Sequence, residues 1–209
     1  MNMRGVRWWG VGSSAAPPVL LAAGWTVAAS LQSRPYGPVA DTVSALAGIG
    51  ATDRWVMTAA FAMAGACEIV TGLVLRPARI AGRLILMAGG AGGILVAVFP
   101  VHMGGGAPGS HILWATIGLA ALAVWPAAAC HGGPAVPGAL RPGVSVRVAV
   151  VLLVLLAWFA LELVTSAGLA GLAERVLGEA QSAWPFAVVM SCRHPVMLTV
   201  RYRPLHECG

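Results

Sequence analysis

The segment "VRVAVVLLVLLAWFALELVTSA", residues 146–167, is an almost unbroken run of apolar side chains. A helix of this length extends roughly 33 Å, close to the ~30 Å hydrocarbon core of a bilayer. Two ionisable residues interrupt the run, Arg147 near its start and Glu162 near its end. A helix that is apolar on every side belongs in a bilayer or a buried core, and its length favours the bilayer. The segment therefore predicts a transmembrane helix.

Apolar runs of similar length recur along the 209-residue chain, which is 58% hydrophobic and 10% charged. A soluble domain usually carries about 25% charged residues. The runs predict six spans, at about residues 11–32, 55–75, 80–100, 111–130, 146–167 and 173–191. We therefore expect an all-α integral membrane bundle of about six transmembrane helices. Residues 1–191 would form this single membrane domain, and residues 192–209 a cytoplasmic tail.

The first apolar run has a second interpretation. Arg4, Arg7 and the later small-residue sequence "TVAAS" together resemble a signal peptide with its cleavage site. The run is long for such a peptide, however, and it contains Pro17 and Pro18. We therefore expect it to be retained as the first span.

Arginine supplies all thirteen basic residues, and the net charge is +6. The arginines gather before the first span, after the last, and in every second connection between spans. The positive-inside rule assigns such segments to the cytoplasm, so we expect a cell-membrane protein with both termini cytoplasmic. The arginines stand singly between apolar runs and form no basic face for a phosphate backbone. We therefore expect the lipid bilayer, and no nucleic acid, as a partner.

The first outer connection, "PYGPVADTVSALAGIGATDRW" (residues 35–55), is polar for this chain. After Pro38, which suits the first turn of a helix, apolar residues recur at helical spacing. The pattern predicts a short amphipathic helix at the outer interface. Thr52 or Asp53 is placed to cap the second span.

Ionisable residues gather on the predicted outer side. Within spans such residues are costly, tend to face the bundle interior and often carry function. A histidine that titrates near neutral pH, together with carboxylates, is what acid–base chemistry requires. We therefore predict Asp41, His111 and Glu174 as candidate catalytic residues, with His111 as base or acid. The predicted binding residues on the same side are Tyr36, Asp53, Glu162, Arg175 and Glu179.

These residues also have structural interpretations. Asp53 suits a helix cap, Asp41 can face water, and Glu174 with Arg175 can anchor the sixth span. No metal-ligand spacing such as His-Glu-x-x-His occurs, so we predict no metal site and no cofactor. Glu68 stands alone deep in the second span. It either pairs with an arginine of the inner connections or marks a proton or substrate path.

Glycines in the third span indicate close helix packing. The sequence "AGGAGG" places Gly89 and Gly93 four residues apart, and small-xxx-small spacing lets helix backbones approach closely in lipid.

A series of short motifs resembles a known family. They are "RPYGPVADTVSALAGIGATDRWVM", "VFPVHMGGG" followed by "SHILWA", "GLAERV", and a Trp-Pro pair in the last span. Their order is similar to that of the bacterial membrane family catalogued as domain of unknown function 998, over residues 20–189. The resemblance implies a polytopic membrane protein without a defined activity. The family tends to have an acidic residue soon after Phe-Pro, where this chain has Val101 and His102.

Two classes of function stay open, and the sequence leaves enzymatic activity uncertain. The first is a binding, accessory or transport-related membrane component whose outer polar residues hold the loops in place. The second is a membrane enzyme that uses the acid–base residues on a lipid-like or isoprenoid-like substrate at the outer leaflet. We favour the first class, because no recognised catalytic motif occurs.

Overall fold

The computed structural model describes residues 8–102 and 106–193, which form an all-helical bundle without a β-strand in these two ranges. A 3-10 turn, Gly138–Leu140, lies between the fifth and sixth α-helices. The α-helices in chain order are α1 (Trp8–Ser30), α2 (Val43–Leu46), α3 (Trp55–Val74), α4 (Ile80–Val98), α5 (Gly109–Ala129), α6 (Pro142–Thr165) and α7 (Ala170–Arg193).

The six long helices lie where the six spans were predicted, and each begins and ends within four residues of the predicted bounds. Helices α1, α3, α4, α5 and α6 are long and apolar enough to cross a bilayer. Helix α7 has 24 residues but is less apolar, because it carries Glu174, Arg175, Glu179, Gln181 and Arg193. The chain is therefore an all-α integral membrane protein, and α7 is its most polar long helix.

The long helices pack in a closed ring, in the order α1, α3, α4, α5, α6, α7 and back to α1. Helix α4 is held most closely, between α3 and α5, because glycines replace side chains at its contacts. A Cβ on Gly90 would collide with the carbonyl oxygen of Gly65 in α3. A Cβ on Gly92 would lie 2.5 Å from the Cα of Gly118 in α5. The predicted close packing of this span is present, and its tightest contacts are at Gly82, which faces Ala129 of α5, and at Gly90 and Gly92.

The bundle has two different ends. The arginine end holds the connections 75–79 and 130–141, above an apolar cluster built around Trp125. At the opposite end lies the connection 31–54, which we call the lid, and its α2 residues Val43 and Leu46 pack into a second apolar cluster. The lid is therefore part of the folded core.

The predicted short helix in the lid is present, whereas the predicted side-chain cap of α3 is wrong. The helix after Pro38 is confined to four residues, Val43–Leu46, because a hydrogen-bonded turn from Gly37 to Asp41 occupies the preceding residues. No side chain caps α3, whose N-cap residue is Arg54. The Asp53 carboxylate instead accepts a hydrogen bond from the indole N–H of Trp55 at 3.3 Å.

The predicted tail, residues 192–209, lies outside the described residues except for its first two. Cys192 and Arg193 continue α7, so this helix runs two residues past the predicted domain boundary at residue 191.

The glycine contacts of α4 lead to a stability prediction. We expect Gly90→Ala to lower the free energy of unfolding by about 1–3 kcal/mol, because the new Cβ would force α3 and α4 apart. Thermal unfolding of the purified protein in detergent measures the change. Gly93→Ala is the matched control, since its Cβ would lie 3.7 Å from the Phe61 carbonyl oxygen, an ordinary contact. Equal unfolding temperatures for the two variants would contradict the packing argument.

Candidate functional site

Glu174, in the first turns of α7, holds the start of α2. Its carboxylate accepts hydrogen bonds from the backbone N–H of Val43 at 2.6 Å, from the Ser44 hydroxyl at 2.8 Å and from the Ser44 N–H at 3.3 Å. Helix α2 has no capping side chain of its own, so its first amides depend on this carboxylate. One buried contact thus joins segments 130 residues apart in the chain.

The next residue, Arg175, holds the other half of the lid. Its guanidinium donates to the carbonyl oxygens of Pro38 and, at 3.3 Å, Asp41, and to the Tyr36 hydroxyl at 2.6 Å. It also lies 5.7 Å from the ring centroids of both Trp25 and Tyr36, within cation–π range. Arg175 therefore binds the turn that precedes α2, while Glu174 binds α2 itself.

The backbone of α7 completes the attachment. The N–H of Leu172 donates to the Val39 carbonyl oxygen at 2.9 Å. Gly171 faces the lid so closely that a Cβ would collide with the Asp41 carbonyl oxygen. The first turns of α7 and the lid are in direct contact, and glycine is required at position 171.

Tyr36 is partly buried between these groups. Its hydroxyl has one proton, which the carbonyl oxygens of Asp41 and Thr42 share as acceptors, each 3.1 Å from the hydroxyl oxygen. Burial raises the pKa of the Tyr36 phenol above its ordinary value of about 10, and the hydrogen bond and positive charge of Arg175 oppose this shift. The neutral phenol is therefore the form that fits the folded lid.

The three predicted catalytic residues bond to different backbone segments. The Asp41 carboxylate accepts from the N–H of Gly37 at 2.7 Å, inside the lid. His111 is 6% exposed, and its Nδ1 lies 2.8 Å from the Phe99 carbonyl oxygen at the end of α4. Glu174 caps α2. Of these three residues, the structure brings Glu174 and the Asp41 backbone to the lid–α7 contact, while His111 joins α4 to α5.

The predicted binding residues also lie at separate contacts. Tyr36 and Arg175 meet in the lid, whereas Asp53 contacts Trp55 beside α3. Glu162 closes the connection between α6 and α7, because its carboxylate accepts from the N–H of Leu169 at 3.1 Å and from the Trp158 indole at 3.2 Å. Glu179 has one buried oxygen without a hydrogen-bond partner among the described residues.

Below the lid, a cavity of about 120 Å³ lies between α1, α3, α4, α5 and α7. Its wall is mostly apolar and includes aromatic rings and five glycines of α3, α4 and α5. The polar side chains that line it are Ser44, Glu68, Glu174, Gln181 and Ser182. An apolar cavity of about 150 Å³ in a protein core is known to take up benzene, so this volume suits a small molecule.

Glu68 is the exceptional group in this wall. It is 5% exposed, and no described residue donates a hydrogen bond to its carboxyl group. The inner arginine pairing considered from the sequence is absent for Arg83, which donates instead to the carbonyl oxygens of Gly72 at 2.8 Å and Leu73 at 2.7 Å. The cavity thus has a carboxyl group at each end, Glu174 with three donors and Glu68 with none among the described residues.

Sequence reasoning missed the cavity and several of its wall residues. Trp25 and Trp114 carried no signal of a cavity, because each lies in an apolar run as a single aromatic residue. The usable signal was the glycine content of three successive spans, which removes side-chain volume from the interior. Within residues 8–102 and 106–193 no group of three or more metal-ligating side chains occurs.

The cap on α2 leads to a prediction about the lid. We expect Glu174→Ala to cost about 2 kcal/mol of local stability, because the buried amides of Val43 and Ser44 lose their acceptor. Hydrogen–deuterium exchange of peptides covering residues 36–50 should then accelerate roughly 30-fold. Val176→Ala, which alters an exposed side chain of the same helix, is the control and should leave exchange unchanged. Unchanged protection in Glu174→Ala would show that the lid is held by other contacts.

The environment of Tyr36 leads to a pH prediction. Because its pKa is raised in the folded protein, the phenol's contribution to stability is complete below pH 10 and is lost as pH rises through the raised pKa. Absorbance near 295 nm in a Tyr202→Phe background, which leaves Tyr36 as the single tyrosine, measures this ionisation. Arg175→Met should raise the Tyr36 pKa further, since it removes the opposing charge. Titration of Tyr36 at or below pH 10 would contradict the predicted burial.

Comparison with known proteins places the chain in one family. No curated protein and no solved structure matches it. The family described as "Protein of unknown function (DUF998)" matches residues 14–191, which include all seven α-helices in whole or in large part. This match confirms the resemblance derived from the sequence motifs, and the chain belongs to the DUF998 family.

Proposed function

We propose that this protein binds a small solute inside its helix bundle, as a binding or transport-related component of the cell membrane. The observation that carries the proposal is the cavity under the lid, whose wall includes the buried carboxyl group of Glu68, without a hydrogen-bond partner among the described residues. Buried ionisable groups in membrane spans are costly and tend to mark ligand or ion pathways. A concave, mostly apolar site with a few polar groups is the usual form of a small-molecule site.

In this proposal both termini are cytoplasmic and the lid faces outward, as the distribution of arginine predicts. The cavity lies directly beneath the lid, because Ser44 and Glu174 belong both to the lid–α7 contact and to the cavity wall. Solute would therefore enter or leave beside α2. The bilayer is the other partner, and we propose no nucleic acid and no metal.

The enzyme alternative, in which Asp41, His111 and Glu174 act on a lipid-like substrate, stays a prediction. It has less support, because each of the three side chains is engaged by a different backbone segment. A lipid would also need more room than about 120 Å³.

A cavity-filling variant tests the proposal. A Cβ at Gly178 would meet no atom within 4 Å, and this glycine lines the cavity, so we expect Gly178→Leu to fill part of the space. Leucine also favours a helix over glycine by up to about 1 kcal/mol, so the variant should fold. Gly12→Leu is the matched control, because Gly12 also has no neighbour within 4 Å and does not line the cavity.

The probes are butylammonium chloride, 1-butanol and sodium butyrate, which share one alkyl chain and differ in charge. At about ten times its Kd a bound probe stabilises the folded state by about 1.4 kcal/mol, which corresponds to roughly 3–6 °C in unfolding temperature. We expect at least one probe to stabilise the wild type and Gly12→Leu but not Gly178→Leu, measured in nanodiscs. The proposal is wrong if all three proteins respond alike to every probe.

A further inference from the structure

The cavity contains two carboxyl groups in different chemical situations. Glu174 receives three hydrogen bonds from α2, so its charge already has partners. Glu68 lines the same cavity and receives none from the described residues. A carboxylate in a low-dielectric interior needs a proton or a cation together with hydrogen-bond donors. Within the described ranges, the fold supplies neither to Glu68.

Two candidate cations, Arg83 and Arg175, form hydrogen bonds with other groups. Arg83 donates to backbone carbonyl oxygens at the end of α3. Arg175 donates to the Pro38 carbonyl oxygen and the Tyr36 hydroxyl in the lid. The chain has no lysine. Within the described residues no side chain supplies a cation to Glu68, and a bound cationic solute would supply it.

The rest of the wall favours an organic cation over a metal ion. Trp25, Phe61 and Trp114 line the cavity, and aromatic faces attract ammonium groups while they also accept alkyl surface. A metal ion such as Na⁺ or Ca²⁺ instead needs several oxygen ligands close together. The polar side chains here are spread over the lid, α3 and α7, and most of the wall is apolar.

The spacing along the helices agrees with a short, amphipathic ligand. Glu68 lies 13 residues into α3 and Glu174 lies four residues into α7, both counted from the lid end. At 1.5 Å per residue the two levels differ by roughly 13 Å along the bundle. A ligand of four or five heavy atoms is shorter than this distance, so with its charge at Glu68 its alkyl part would extend toward the lid without reaching Glu174.

We propose that the cavity takes a small alkylammonium ion, with its N–H groups bonded to the Glu68 carboxylate and its alkyl chain against Trp25, Phe61 and Trp114. This inference rests on the proposed function and names the class of solute. Glu68 is the charge-recognition residue of the site. Glu174 holds the lid and is already satisfied, so it does not set the preference for charge.

The three butyl probes test this directly. Near neutral pH butylamine is cationic, since alkylamines have a pKa near 10. The wild type should bind butylammonium at least about tenfold more tightly than 1-butanol, and butyrate least tightly. Affinities come from unfolding temperature against probe concentration, corrected by the response of Gly178→Leu, which records effects of the probe on the lipid.

Variants of Glu68 test whether its carboxyl group causes the preference for butylammonium. Glu68→Gln keeps the shape and removes the charge, so butylammonium should lose its tenfold advantage while 1-butanol changes less than about twofold. Glu68→Asp keeps the charge and should retain part of the preference. If Glu68→Gln does not fold, the wild-type ranking and Glu68→Asp still decide the result.

The outcomes separate the two proposals. If 1-butanol binds in the cavity as tightly as butylammonium, or if Glu68→Gln keeps the preference, the cation inference is wrong while solute binding stands. If no probe distinguishes wild type from Gly178→Leu, both proposals fail.

Discussion

The close approach of three helix backbones is the constraint on which the rest of the structure depends. Gly65, Gly90, Gly92 and Gly118 remove side chains from the contacts of α3, α4 and α5, so that backbone meets backbone. In lipid such packing replaces the hydrophobic drive that assembles a soluble core. The same absence of side chains leaves empty volume on the inward faces of these helices. Tight packing and the cavity thus have a common origin in glycine.

The lid shows how irregular backbone is accommodated at one end of the bundle. A non-helical segment carries unpaired N–H and C=O groups, and these are expensive wherever water is excluded. Glu174 supplies acceptors and Arg175 supplies donors, so two adjacent residues of opposite charge satisfy both kinds of backbone group. This division of roles explains why the most polar long helix packs beside the lid.

Sequence patterns could predict the long helices because bilayer thickness fixes their length and hydrocarbon fixes their composition. They predicted a short helix in the lid but could not predict that it begins at Val43, because this start depends on Glu174, 131 residues further along the chain. They also placed Asp41, His111 and Glu174 at the same end without showing which groups meet. The rotation of a helix about its axis decides that question, and apolar runs carry little information about rotation. Glu68 illustrates this limit, because the sequence showed a lone carboxyl group in an apolar span but did not show the cavity beside it.

Helix α7 carries both the lid attachment and part of the cavity wall. Gly171, Glu174 and Arg175 hold the lid, and Gln181, whose amide donates to the Leu119 carbonyl oxygen at 2.9 Å, lies further along the same cavity face. These residues belong to an uninterrupted stretch of helix, since Pro185 comes later. An α-helix is stiff over three turns, so a displacement at one end of this stretch is carried to the other. The lid attachment and this part of the cavity wall therefore belong to one rigid segment of α7, so a movement of the lid-bound end would also displace Gln181.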